Sequence, residues 1–422
     1  MTPTIHTLGN GVRIICDPMP GLETLALSVV AGRGAASEDV ARSGWSHLLE
    51  HMVFKGAGKR SARDIVEVIE SQGGNINAAT GYERTSFQVR ALAGGLPLGM
   101  EVLADLVLRP TLDGEDLARE KGVVAQEIAE AADTPDDLVF ELAQAAAFAG
   151  QPHGRPVLGT VKSLKPADPV SLEAWRAALY APDRLVISAA GAVDEDELLA
   201  LAEAAFGDQP PTEGADAPQA PEFRAGHAAK TRKLEQAHLV LLSPAFGAKD
   251  DDYFALRLFV EMLGGGMSSR LFQEAREKLG LAYAVDAWSD TYADAGMMGI
   301  YAGCAAADAA PLARVCAREV LALTRGPGDA ELARAKAQLK AHLFMSREQP
   351  LNRAETSAGQ ALLFGHLYAP GDMARAIDAI SPGDITRVGQ RLLSPGLTAG
   401  SVLGSRGALG AVDAYRDALL AG

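Results

Sequence analysis

Two apolar runs, LALSVVAG at 25–32 and HLVLLSPAF at 238–246, read as strands. Each leads through an acidic turn into a helical pattern: SEDVARSGWSHLLEHMVF after the first, AKDDDYFALRLFVEML after the second. Each continues with a further helix, an alternating strand pair and long Ala-rich helices, at 115–148 in one half and 329–364 in the other. A repeated order of this kind predicts duplication of one α+β unit. Asn10-Gly11 between apolar alternations predicts a hairpin. Thr134-Pro135-Asp136-Asp137 combines an N-cap, a first-turn proline and first-turn acids, so a new helix is expected there, ending the one over 115–132. Residues 208–222, DQPPTEGADAPQAPE, lack any apolar period and read as a linker between domains at 1–207 and 223–422.

The chain has 422 residues, enough for two or three domains. Its 48% hydrophobic and 22% charged residues are globular composition. With 5% aromatics, the core must be built mainly from Ala, Leu and Val. A net charge of −15 repels phosphate backbones and excludes nucleic acid as an expected partner. Cys16, Cys304 and Cys316 form neither a disulfide framework nor a metal-ligand spacing. The N-terminal stretch has no basic segment leading into an apolar one, and no run approaches the length of a membrane span. The expectation is a cytoplasmic protein in a reducing compartment, without a membrane segment.

The sharpest chemistry is His47-Leu48-Leu49-Glu50-His51. On a helix, positions i, i+3 and i+4 share one face. His47 and His51 then lie one turn apart and can hold one metal ion, with Glu50 beside them. Leu48, Leu49 and Met52 point elsewhere and can pack the helix. Two imidazoles and a carboxylate suit zinc and leave a position for water, whose proton Glu50 can take and pass to a leaving amine. Glu120 and Glu127, seven residues apart, face the same way on the helix over 115–132 and are candidates for the third ligand. The competing reading is two solvated helix faces whose histidines and glutamates coincide in spacing.

HLLEH inverts the common H-E-x-x-H motif, and Glu127 follows His51 after 75 intervening residues. With EKGVVAQEIAEAADTPDDLVFE around that glutamate and QPHGRPVLGT at 151–160, the chain resembles the pitrilysin and insulysin family of zinc metallopeptidases. In size it is similar to the mitochondrial-processing-peptidase branch. The resemblance implies two homologous α/β-sandwich domains, each an antiparallel-rich sheet flanked by helices. It implies one zinc ion per chain, held by His47, His51 and Glu127, with Glu120 in support and Glu50 as general base. It also implies that 73–90, GGNINAATGYERTSFQVR, contributes an edge strand that pairs with a peptide substrate at Asn77 and Ala78. In the second half, GGGMSSRLFQEAREKLGLAYAV at 264–285 carries Arg276 and Tyr283 at the family's spacing, Arg276 to bind substrate and Tyr283 to donate to the developing oxyanion. The Gly264–Gly266 triplet is not followed by Lys-Ser/Thr and is no phosphate loop.

A chain carrying both the zinc motif and the Arg/Tyr pair is expected to be a zinc endopeptidase of short or unfolded peptides. It is expected to form a C2 homodimer in which each protomer completes the other's site. The alternatives are the active half of a heterodimer with a silent homologue, and a non-catalytic core or assembly subunit of the same fold. Members of the latter class typically lose the zinc residues, which are present here.

Overall fold

The computed structural model describes residues 3–211 and 219–421. Residues 212–218, the middle of the segment read as a linker, lie outside the described residues. The main strands are β1 (Thr4–Thr7), β2 (Arg13–Pro18), β3 (Thr24–Ala31), β4 (Asn75–Thr80), β5 (Thr85–Leu92), β6 (Leu185–Gly191), β7 (Gly226–Thr231), β8 (Ala237–Ala245), β9 (Ala284–Thr291), β10 (Gly296–Cys304) and β11 (Ala399–Gly404). The helices needed below are α1 (Trp45–Val53), α2 (Leu96–Leu108), α3 (Gly114–Asp133), α4 (Pro135–Ala147), α5 (Tyr253–Gly264), α6 (Ala309–Leu323), α7 (Pro350–Phe364) and α8 (Ala411–Leu420).

The fold is α+β, with two compact units. The first comprises Met1–Ala129, Pro156–Pro218 and Phe344–Ala369; the second comprises Glu130–Arg155, Gln219–Leu343 and Pro370–Gly422. The units therefore differ from the linear halves 1–207 and 223–422, because each includes one segment from beyond the linker. The reason is that each sheet has two faces. The second face needs an apolar helix, and α7 and α4 supply it.

In the first unit the strand order is β1-β2-β6-β3-β5-β4, with β2 and β6 parallel and the other pairs antiparallel. Alternation along β2, β3 and β6 sends Ile14, Leu27, Val29 and Ile187 into a core shared with α1 and α2. The intervening Ile15, Val30 and Val186 pack against Ala358 and Ala361 of α7. Coverage of both faces explains why β3 reads as a nearly continuous apolar run, broken only by Ser28. Asn10-Gly11 lies in the turn joining the antiparallel β1 and β2, with Gly11 at a φ of 98°.

Polar contacts fix α7 on this face. The Arg353 guanidinium makes a two-pronged contact with the fully buried Asp17, its Nε donating to Oδ2 at 2.6 Å. Ser28 donates to Glu355 at 2.7 Å.

In the second unit the order is β9-β10-β8-β11-β7, with β11 and β7 parallel. This repeats the order β4-β5-β3-β6-β2 of the first unit. One face packs Leu239, Leu241, Ile300 and Val402 against α5, α6 and α8 through Phe259, Leu312, Cys316 and Tyr415. On the other face α4 lies over β11, β8 and β7. The Ser401 hydroxyl there donates to the Val139 carbonyl. Pro135 begins α4 with Thr134 at its N-cap, where the sequence places a helix start.

Removing one partner of a buried ion pair leaves an uncompensated charge, at a cost of about 3–5 kcal/mol. Arg353→Met is therefore expected to destabilise the first unit by that amount, seen as a lower denaturant midpoint. Adding Asp17→Leu should recover most of the loss.

Candidate metal centre

Helix α1 starts abruptly. Gly44 precedes it at a φ of 88°, and a Cβ there would meet the Leu158 carbonyl oxygen at 2.5 Å, so only glycine fits. Gly44 offers no side chain to cap the helix. The buried Glu38 carboxylate does so instead, accepting from the amides of Gly44 and Ser46 at 2.7 Å each. Leu48, Leu49, Met52 and Val53 are fully buried. His47, Glu50 and His51 are thereby left on the opposite side, with the imidazole centroids 4.7 Å apart.

Helix α3 brings its carboxylates to the same place. Glu127 Oε2 lies 3.9 Å from His47 Nε2 and 3.5 Å from His51 Nε2. Among the described residues, His47, His51 and Glu127 are the trio whose ligand atoms all lie within 4.8 Å of one another. Two donors about 2.1 Å from one tetrahedral ion are about 3.4 Å apart, so the spacing fits a single zinc ion. The buried Glu127 Oε2 faces both imidazoles without a hydrogen-bond partner among the described residues. A cation between the three would satisfy it.

Two turns earlier on α3, the buried Glu120 reaches His51 Nδ1 at 3.0 Å with one oxygen and Lys55 Nζ at 2.7 Å with the other. A carboxylate on Nδ1 fixes the tautomer that keeps the Nε2 lone pair available. Burial, with help from the neighbouring His51, pushes the His47 imidazole down to about 4, so it is neutral near pH 7 and can act as a ligand. Burial pushes the Glu50 carboxyl above its ordinary range. The Glu127 charge adds to this, while a hydrogen bond from Thr80 and the charge of His51 oppose it. Thr80 Oγ1 donates to Glu50 Oε2 at 2.5 Å.

Thr80 ends β4, the edge strand of its sheet, which also carries Asn77 and Ala78. Asn77 is exposed and pairs in register with Gln88; Ala78 is buried and pairs with Phe87. The segment over 73–90 thus folds as a β4–β5 hairpin.

Arg276 and Tyr283 belong to the second unit. Arg276 sits in the π-helical turn Phe272–Lys278, its guanidinium 4.7 Å from the Phe272 ring centroid. Tyr283 is 62% exposed just ahead of β9, its amide bonded to the Gly303 carbonyl at 2.8 Å.

Three polar residues at this site went unread in the sequence. Lys55 had a signal, since it follows His51 at i+4 and so falls on the same side of the chain. Glu38 and Thr80 come from outside α1, and nothing in local spacing points to them.

The insulinase model (peptidase family M16) matches residues 14–161, and the model described as the peptidase M16 inactive domain matches 168–339. A Streptomyces coelicolor protein named an uncharacterized zinc protease is 33% identical over 97% of this chain and 89% of its own length. A Bacillus subtilis protein with the same description is 33% identical over 92% of this chain and 95% of its own. Among solved structures, a protease from Helicobacter pylori superposes with a TM-score of 0.88 at 20% identity, covering 96% of this chain and 99% of that one. A chain of complex III2 from Candida albicans gives 0.86 at 19%, covering 99% of each. These two share the fold. The inverted histidine motif, the carboxylates of α3 and near-full-length relatives named zinc proteases converge: the chain belongs to the insulinase family of peptidases, M16.

Proposed function

We propose that the protein is a zinc-dependent endopeptidase acting on short or unfolded peptides. The reading is carried by one observation, the unpartnered Glu127 Oε2 facing the Nε2 atoms of His47 and His51. His47, His51 and Glu127 would hold the ion. A zinc ion bound there supplies electrophilic polarisation of a carbonyl and of water.

The remaining chemistry falls to the chain's own groups. Glu50 takes the proton from the attacking water and returns it to the departing amine; its raised proton affinity suits a group that must bind and release in turn. Thr80 holds Glu50 Oε2 and so fixes the carboxylate's orientation. Lys55, through Glu120, holds His51. The β4 edge accepts an extended substrate by strand addition; Asn77 offers a polar contact and the small Ala78 permits close approach.

Tyr283 is assigned to the developing oxyanion and Arg276 to substrate binding. A partner copy in a homodimer would supply that pair, each protomer completing the other. No helix among the described residues is long and apolar enough to cross a membrane. All three cysteines are buried and unpaired, which supports the expected cytoplasmic setting.

Glu50→Gln should keep its zinc by metal analysis and lose about 10²–10⁴-fold in kcat on a quenched peptide. His51→Ala should lose the metal itself. If the purified native protein binds no zinc, the non-catalytic subunit reading replaces this one. Glu120→Gln should weaken zinc binding about 10–100-fold in a chelator competition, because His51 loses its orienting carboxylate. Light scattering should report about twice 44.0 kDa; an active monomer would overturn the homodimer.

A further inference from the structure

The edge strand β4 hangs on one neighbour. It pairs with β5 on one side and, among the described residues, carries no strand on the other. Its last residue, Thr80, is the one that donates to Glu50, and the β4–β5 turn at 81–84 follows at once. A hairpin tip held by a single ladder opens locally unless something else grips it.

The grip comes from the segment between β3 and α1. The chain leaving β3 at Ala31 forms a 3₁₀ turn over Ala35–Ser37. The amides of Ala35 and Ala36 donate to the carbonyls of Gly81 and Tyr82 at 3.0 and 2.8 Å. Thr85 Oγ1 donates in return to the Arg33 carbonyl at 3.1 Å. Gly34 is the point of closest approach. A Cβ there would lie 2.2 Å from the Gly81 carbonyl oxygen, 3.0 Å from that of Tyr82 and 3.1 Å from that of Arg84. All three neighbours are backbone, so none can yield by turning a side chain. Directly after the 3₁₀ turn, Glu38 accepts from the amides of Gly44 and Ser46 at the start of α1. Residues 34–38 therefore touch both the hairpin that carries Thr80 and the helix that carries Glu50.

The second unit repeats this joint. Ala248 N donates to the Tyr292 carbonyl at 2.8 Å in the β9–β10 turn. A Cβ on Gly247 would meet the Ala293 carbonyl oxygen and the Ala295 amide nitrogen at 2.6 Å each. No cluster of metal ligands accompanies it among the described residues of that unit. The same steric joint thus exists with and without a metal centre, and the second serves as a control for the first.

We propose that Gly34 is a positioning residue for catalysis. Its bare backbone lets the turn at 81–84 seat against residues 34–36, and that seat places Thr80 where it holds Glu50. The catalytic consequence rests on the peptidase reading; the seating of the hairpin does not.

The test is a double-substitution cycle in the full-length, zinc-loaded protein. Gly34→Ala forces the turn outward, and because a misplacement of about 1 Å can cost about 10²-fold, kcat on a quenched peptide should fall about 10–100-fold. Thr80→Val should also slow the enzyme, and the double variant should be no slower than the slower single one. Zinc affinity by chelator competition should stay at the native value, since the ligands stand on α1 and α3. Gly247→Ala makes the same steric change in the second unit, and any loss it brings should multiply with that of Thr80→Val. Losses that multiply for Gly34→Ala and Thr80→Val, or equal non-additivity for Gly247→Ala, overturn the proposal. Amide hydrogen exchange reads the seating without catalysis: over 75–85 it should quicken about 10-fold in Gly34→Ala while β1 and β2 keep their native rates. Unchanged exchange over 75–85 overturns the proposal as well. Should Gly34→Ala fail to fold, Thr85→Val, which removes the bond to Arg33 and keeps the side-chain shape, takes its place in the cycle with the same outcomes. A native protein that holds zinc and cleaves no peptide would count against the peptidase reading, and exchange would then decide the seating alone.

Discussion

Leu48, Leu49, Met52 and Val53 are fully buried, and a helix of nine residues that buries those four positions has little freedom in how it presents the rest. Each such side chain contributes about 1.5–3 kcal/mol on leaving water. Together they outweigh what it costs to desolvate a neutral imidazole. The register of α1 is therefore set by apolar contact. The side-by-side placement of His47 and His51, with Glu50 between them in sequence, follows from that register. A one-residue slip would bury a histidine in place of a leucine.

What apolar packing cannot do is make the polar cluster comfortable. Glu50, Glu120 and Glu127 converge on two imidazoles, with Lys55 the cation bonded within the group. Like charges in a partly dry site repel strongly unless cations or donors intervene. The two histidines are served unequally. His51 is held at Nδ1 by a carboxylate that is itself held by a lysine, whereas His47 Nδ1 is buried without a hydrogen-bond partner among the described residues. His51 is thus oriented by hydrogen bonding and His47 by packing alone, which makes His51 the stiffer of the two. Glu50's raised proton affinity comes mainly from burial, with the Glu127 charge a smaller contributor, and is moderated by the Thr80 hydroxyl of the edge strand and the charge of His51.

Features set by neighbours in sequence were legible before any coordinates. The hairpin at Asn10-Gly11, the start of a helix at Thr134-Pro135 and the two long apolar strands appear where short-range chemistry puts them. His47, His51 and Glu127 meet, although the pairing across 75 residues came from a family resemblance and not from spacing. The segments that fold across the linker were not legible. α4 and α7 look like ordinary continuations of Ala-rich stretches, and their assignment to sheets far away in sequence depends on which face each sheet leaves open. Composition marks a linker by what it lacks, and it carries no information about such non-local packing. Thr80, Glu38 and the Asp17–Arg353 pair were hidden for the same reason, since each acts on a partner more than five residues away.

One consequence of that packing bears directly on the metal ligands. The chain leaves the first unit at Ala129, inside α3, two residues beyond Glu127, and continues through Thr134 into α4, which covers the second sheet. The third ligand therefore rides on a helix whose last turn and continuation belong to the other unit. Glu120, two turns back, is buried and gripped by His51 and Lys55, so that part of α3 is fixed within the first unit. Glu127 is 37% exposed at its side chain and has no such grip. It lies two residues short of the point where the chain leaves its unit, and among the described residues no hydrogen bond fixes the oxygen that faces the imidazoles.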